Sequence, residues 1–189
     1  RGFVKESGKE FEYLSGVTQL LGIVIRRAVD EPLSNYLSNK FWKPMGMKSP
    51  GYWALDNPDG MEKTYCCVYS NARDFAKFGQ LILQNGKWKG KQLIDSSFVA
   101  LMKTPNLSAF SRVEQPIYGY SLWLDYDHET PFYSLIGHLG QYIAVIPSHN
   151  MIVVRLGKTR DRRHTKRGVL PGNDLYYYVD EAVKMVENY

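Results

Sequence analysis

The chain holds 189 residues, 44% hydrophobic and 14% aromatic, an ordinary globular composition that excludes a disordered chain. Its formal net charge of +5 invites a nucleic-acid reading, yet much of that charge lies in the run Lys158-Thr-Arg-Asp-Arg-Arg-His-Thr-Lys-Arg167. No aromatic residue interrupts the run to stack on a base, so it reads as a solvated loop, and no nucleic-acid partner is expected.

The first predicted element is a helix from about Gly16, in which Val17, Leu20, Leu21, Val24, Ile25 and Ala28 recur at helical spacing. Ahead of it stands Tyr13-Leu-Ser15. The start of a helix offers unpaired N–H groups and a positive dipole end, which favour a developing anion. Tyr13 and Ser15 alternate by two, so in extended backbone they face the same way. A tyrosinate there could take a proton from a nucleophile supplied elsewhere. By itself the motif fits a packed Tyr beside a capping Ser better than it fits a catalytic pair.

Pro32 suits the first turn of a short helix carrying Leu33, Tyr36 and Leu37. Asn71-Ala-Arg-Asp74 resembles a capping box with Asp in the Glu position, opening a helix with Phe75, Phe78, Leu81 and Ile82 inward and ending at Asn85-Gly86. Residues 88–94 read as a turn with a short extended piece, and Asp95 or Ser96 caps a helix through Met102. From Pro116 the period changes. Gly119 to Leu124, Phe132 to Gly137, Gln141 to Pro147 and Met151 to Leu156 are β-rich runs parted by turn residues, as in an antiparallel sheet. The last helix, with Asn173 as cap, places Leu175, Val179, Ala182, Val183 and Val186 on the face that would pack across that sheet.

The expectation is therefore an α+β fold: a helical and loop region over 1–115 and strands with a C-terminal helix over 116–189, forming one structural domain. Cys66 and Cys67 are the only cysteines, and sequence neighbours do not form a bridge of relaxed geometry, so both read as small buried residues. His128, His138, His149 and His164 lack metal-ligand spacing. No metal or other cofactor is expected. No apolar run approaches the ~20 residues that a membrane-spanning helix needs.

Several segments, in order, carry a family resemblance: Phe11-Glu-Tyr-Leu-Ser-Gly-Val-Thr-Gln-Leu-Leu-Gly22, Phe41-Trp-Lys-Pro-Met-Gly-Met47, Ala72-Arg-Asp-Phe-Ala-Lys-Phe-Gly79, Tyr118-Gly-Tyr-Ser-Leu-Trp123 and Gly137-His-Leu-Gly-Gln-Tyr-Ile-Ala-Val-Ile-Pro147. Together with Val153-Val-Arg-Leu-Gly157 they resemble the second half of serine β-lactamases and penicillin-binding proteins, in the class C-like branch that includes esterases and 6-aminohexanoate-dimer hydrolases. The resemblance implies a β-lactamase/transpeptidase-like fold and an acyl-enzyme mechanism. The family's nucleophile lies in Ser-x-x-Lys, N-terminal to the Tyr motif, and no Ser in this chain is followed three residues later by Lys. The chain is accordingly expected to be the C-terminal part of a longer protein, inactive alone, whose missing N-terminal segment is its partner.

By the same resemblance Tyr13 would be the general base, relaying protons with a Lys outside this chain, and Ser15 would orient the relay. The family's substrate strand ends in Lys-Thr-Gly or a relative of it, and the next N–H forms half of the oxyanion hole. Phe132-Tyr-Ser134 and Leu135-Ile-Gly137 compete for that place. The second is preferred, giving His138 N–H as donor and Gly137 where substrate backbone comes close. Tyr52 and Trp53 resemble the aromatic wall of the cleft, though core or rim aromatics are the plainer reading. Neither register supplies the Lys or Thr that holds a β-lactam carboxylate, so an ester or amide substrate fits better. A periplasmic or secreted location accords with the family. The alternatives are a non-catalytic binding or sensing module of this fold, and a fragment that folds only with its N-terminal half.

Overall fold

The structure is a computed structural model in which residues 13–105, 118–159, 161 and 172–188 are described. They form two compact units, Tyr13–Asp74 and Phe75 onward. The expected boundary at 115/116 and most of the basic run at 158–167 lie outside the described residues.

The first unit opens with α1 (Ser15–Val29), followed by α2 (Leu33–Leu37) and a π-type turn over Ser38–Trp42. A short hairpin pairs β1 (Tyr52–Trp53) with β2 (Val68–Tyr69). One side of α1 is pinned to the 61–64 segment: the Gln19 amide donates to Glu62 O at 3.1 Å, and Thr64 N–H donates to Gln19 Oε1 at 2.9 Å. The contact is close enough that a Cβ on Gly22 would meet Thr64 Cγ2 at 2.3 Å. The apolar stripe of α1 lies elsewhere and is open, with Val17, Leu20, Leu21 and Val24 between 54% and 60% exposed.

Two buried carboxylates hold the loops of this unit. Glu62 Oε1 accepts from Ser34 N–H at 2.9 Å and from Ser34 Oγ at 2.8 Å. Asp74, fully buried, accepts from the N–H groups of Lys48 and Ser49 at 2.9 Å each. Its own N–H donates to Asn71 Oδ1 at 2.9 Å, the cap half of the expected box at the start of α3 (Ala72–Leu83), and its carboxylate accepts from the Asn71 side-chain amide at 2.8 Å.

The cysteines correct the expectation. Cys66 and Cys67 are disulfide-bonded to each other and half-buried. Cys67 stands at φ 75°, a left-handed backbone that accommodates the small ring.

The second unit is built on a four-stranded antiparallel sheet in the order β5 (Trp123–Asp125), β6 (Phe132–Gly137), β7 (Gln141–Ile146), β8 (Met151–Arg155). Side chains alternate between its faces. Phe132, Tyr142, Ala144 and Ile146 pack with Leu175, Val179 and Val183 of α5 (Asn173–Glu187). Tyr133, Val145 and Leu124 pack on the opposite face with Ile82 of α3 and Val99 of α4 (Ser96–Met102). α3 comes close enough that a Cβ on Gly79 would lie 2.9 Å from the Cγ2 atoms of Ile143 and Ile152. Between α3 and α4, β3 (Lys87–Trp88) and β4 (Lys91–Gln92) form a tight hairpin over Lys89 and Gly90, both at positive φ.

Two boundaries and the burial of one helix residue differ from expectation. Residues 119–122 form a turn rather than strand, with Gly119 N–H donating to Leu122 O and Ser121 at φ 60°. The cap of α5 is Gly172, not Asn173, and it makes no side-chain cap bond. Val186 is 53% exposed, whereas Leu175, Val179 and Val183 are covered.

Candidate active site

Leu14, extended at φ −122° and ψ 119°, is the N-cap of α1, and its carbonyl accepts from the N–H of Val17 at 3.1 Å and Thr18 at 3.4 Å. No side chain caps this helix, and Ser15 is its first helical residue. Ser15 is therefore not the cap of this helix. Tyr13 is 51% exposed, and Ser15 is exposed at the helix mouth.

In the same unit, Tyr52 and Trp53 point to opposite faces of the β1–β2 ribbon. Trp53 is tied down: its Nε1 donates to Lys63 O at 2.9 Å and to Cys66 O at 3.1 Å. Tyr52, 68% exposed, pairs across the ribbon with Tyr69, 58% exposed. Trp53 thus braces the hairpin and the Cys66–Cys67 turn, while Tyr52 offers an open aromatic surface.

Gly137 and His138 belong to the second unit. Gly137 pairs with Gln141, so the β6–β7 hairpin is the short one, turning through His138, Leu139 and Gly140. Gly137 and His138 are exposed at its tip, whereas Phe132, Tyr133 and Ser134 are buried mid-sheet against Val145 and Ala144. Leu139 at φ 59° and Gly140 at φ 80° make the reversal. Tyr13, Ser15, Tyr52 and Trp53 therefore share one unit, and the Gly137–His138 turn sits in the other.

Elsewhere in the sheet unit, burial holds the Tyr133 phenol up at about 12, with the neighbouring Tyr126 adding to the effect. That phenol stays neutral and is unsuited to act as a base near neutral pH. Among the described residues no group of three or more His, Cys, Asp or Glu side chains could hold a metal ion, and no helix is long and apolar enough to cross a membrane. In the sequence Gln141 stands out only as the first residue of a β-rich run. Its side chain in fact closes the hairpin, donating to His138 O at 3.0 Å and accepting from Gly157 N–H at 3.0 Å. Nothing in the linear text marks the second contact, which joins residues 16 apart.

Comparison with known proteins places the chain. It is similar over 97% of its length to a solved Bacillus anthracis protein provisionally assigned as a 6-aminohexanoate-dimer hydrolase, with a TM-score of 0.75, 23% identity and 45% of that chain covered. A provisionally assigned β-lactamase from Bacteroides dorei aligns with a TM-score of 0.69 and 18% identity over 96% of this chain and 60% of that one. The octameric penicillin-binding protein homologue from Pyrococcus abyssi aligns with a TM-score of 0.65 and 18% identity, over 82% of this chain and 40% of that one. An uncharacterised protein of Alkalihalophilus pseudofirmus is 25% identical over 117 residues, which are 56% of this chain and 34% of that protein. The chain thus spans about a third of that curated relative and less than half of the Bacillus anthracis structure. These likenesses give the β-lactamase/transpeptidase-like fold. The β-lactamase family pattern matches residues 2–170, nearly the whole chain, and the chain belongs to the β-lactamase family.

Proposed function

We propose that this chain is the C-terminal part of a β-lactamase-like serine hydrolase that acts on an ester or amide through an acyl-enzyme, with a Ser-x-x-Lys nucleophile outside the chain. The observation that carries the reading is the exposed Tyr13 at the uncapped mouth of α1, in a member of this family that contains no Ser-x-x-Lys of its own. In the proposed reaction the serine hydroxyl attacks the acyl carbon while its proton passes to the Tyr13 oxygen, whose phenolate the Lys ammonium stabilises. Ser15 orients that relay. The tetrahedral oxyanion accepts a hydrogen bond from His138 N–H, the kind of donor whose removal costs on the order of 3 kcal/mol. The proton returns to the leaving alcohol or amine, and water releases the acyl group by the reverse path.

The substrate class follows from what the β6 end lacks. Leu135-Ile-Gly137 carries neither Lys nor Thr to hold a carboxylate, which favours an ester or amide that needs no anionic anchor. The test uses a fluorophosphonate probe and a p-nitrophenyl ester. The 189-residue chain alone neither labels nor turns over the ester, and a longer form containing Ser-x-x-Lys does both. Labelling of the purified 189-residue chain would show that the nucleophile has been misplaced.

The open face of α1 favours a second reading, concerning folding rather than chemistry. A 15-residue helix with Val17, Leu20, Leu21 and Val24 more than half exposed is unlike the covered helices of a finished domain. In this reading the segment that carries the nucleophile also covers that face, as suits a chain aligned to only 45% of a solved relative.

A further inference from the structure

The turn that would carry the oxyanion donor is held from behind by two side chains the reaction itself does not use. Arg155 ends β8, and its guanidinium reaches back under the β6–β7 hairpin. Nη1 donates to Gly140 O at 2.6 Å and Leu139 O at 3.4 Å, while Nη2 donates to Thr159 O at 2.7 Å. Nε donates to Tyr178 Oη at 3.1 Å, and the guanidinium carbon lies 5.7 Å from the Tyr142 ring centre and 5.5 Å from that of Tyr178. The space is fully used: a Cβ on Gly140 would meet Nη1 at 2.0 Å, and one on Gly157 at 2.4 Å. The Gln141 amide adds bonds to His138 O and to Gly157 O.

We infer that Arg155 and Gln141 are positioning residues, a clamp that fixes the direction of His138 N–H; the inference rests on the acyl-transfer reading proposed above. Left alone, this turn would not keep one shape. Leu139 sits at φ 59°, a left-handed conformation that a non-glycine residue adopts only at a cost. The clamp offsets that cost by giving the carbonyls of His138, Leu139 and Gly140 charged or amide donors. Direction follows from two fixed points. Gly137 is held by ladder pairing with Gln141, and His138 by the Gln141 amide on its own carbonyl, so the N–H between them has little freedom. An oxyanion donor acts only if aimed before the charge develops, and this clamp does the aiming.

A planar fork is needed to serve two carbonyl directions at once, so Lys at 155 would keep the charge and lose the geometry. The experiment uses the form that carries Ser-x-x-Lys, a p-nitrophenyl ester and the variants Arg155→Lys, Arg155→Met and Gln141→Ala. Arg155→Met is expected to lower kcat about 100-fold, and Arg155→Lys and Gln141→Ala about 10-fold, with KM changed less than about threefold, since misaimed donors lose transition-state rather than ground-state binding. Affinity for a boronic acid that mimics the tetrahedral adduct should fall in step with kcat/KM. Hydrogen exchange at the 137–141 amides should quicken in all three variants, a readout that needs no turnover.

Unchanged kcat and unchanged exchange in folded variants would overturn the clamp, as would a loss confined to KM. Tyr13→Phe separates the two claims. If it abolishes turnover while the Arg155 variants stay active, only the clamp fails. If it leaves turnover intact, the assignment of Tyr13 as the proton acceptor fails, and exchange at 137–141 still decides whether the clamp holds the turn.

Discussion

α1 and α5 are both 15-residue amphipathic helices, and the chain treats them differently. α5 lies on the sheet with Leu175 and Val179 at 0% exposure; α1 leaves Leu20 and Leu21 at 59% and 54%. A leucine or valine side chain gains about 1.5–3 kcal/mol from full burial, so α5 draws on its stripe for stability and α1 largely does not. The contacts that pin α1 are polar, with Gln19 bridging to Glu62 and Thr64 and Gly22 allowing the approach. The difference teaches that an amphipathic pattern announces a face to be covered without naming what covers it.

The comparison can be broken most sharply with paired aspartates. Val179→Asp should destabilise the chain by about 4 kcal/mol or more, because an unpaired carboxylate would be placed in a sealed core. Leu21→Asp should change the stability of the same chain by no more than about 0.5 kcal/mol, as measured by urea unfolding. In a form that also carries the nucleophile segment, the two substitutions should become comparably costly. A large cost for Leu21→Asp in the 189-residue chain would mean that α1 is covered after all.

A smaller effect tests whether the α1 unit has internal support independent of that open face. Asp74→Ala removes the buried carboxylate to which the N–H groups of Lys48 and Ser49 donate and should cost about 2–4 kcal/mol in thermal or denaturant unfolding. A cost near zero would show that the polar framework does not hold this unit.

The smallest effect is acid dependence at Glu62. Burial alone would push this carboxyl up, but the Ser34 N–H and hydroxyl bonds and the nearby Arg26 charge more than offset that and hold it below its ordinary value of 4.5. A folded-state value below the unfolded one means that the contribution is complete above about pH 4.5 and is lost as pH falls through the depressed value. Comparing Tm against pH for the parent and Glu62→Gln should therefore show the curves converging in acid. Parallel curves would contradict the assignment.

Much of the sheet was legible because its physics is local. The β-rich runs at 132–137 and 141–147 were enough to place β6 and β7, whereas two registers stayed open until the pairing of Gly137 with Gln141 showed the short hairpin. The start of α4 was legible to within one residue for the same reason; of the two candidates Asp95 and Ser96 it is Asp95 that caps, its carboxylate accepting from Ser97 N–H two residues on at 2.8 Å. Residues 119–122 misled because aromatic and apolar composition suggests strand, whereas the left-handed Ser121 turns the backbone. The cysteine pair misled because relaxed geometry was assumed where a positive φ at Cys67 was available. Of the candidate site, Tyr13 and His138 could be named from the resemblance, but Arg155 could not. Its partners at 139, 140 and 178 come together only when the sheet and α5 are assembled.

The most direct measurement is turnover of a p-nitrophenyl ester by the form that carries Ser-x-x-Lys, comparing the parent with Tyr13→Phe. If the phenol is the proton acceptor, kcat falls about 10²- to 10⁴-fold while KM and Tm hold nearly constant, because the ring is retained and only its oxygen is removed. A kcat within threefold of the parent would contradict the account.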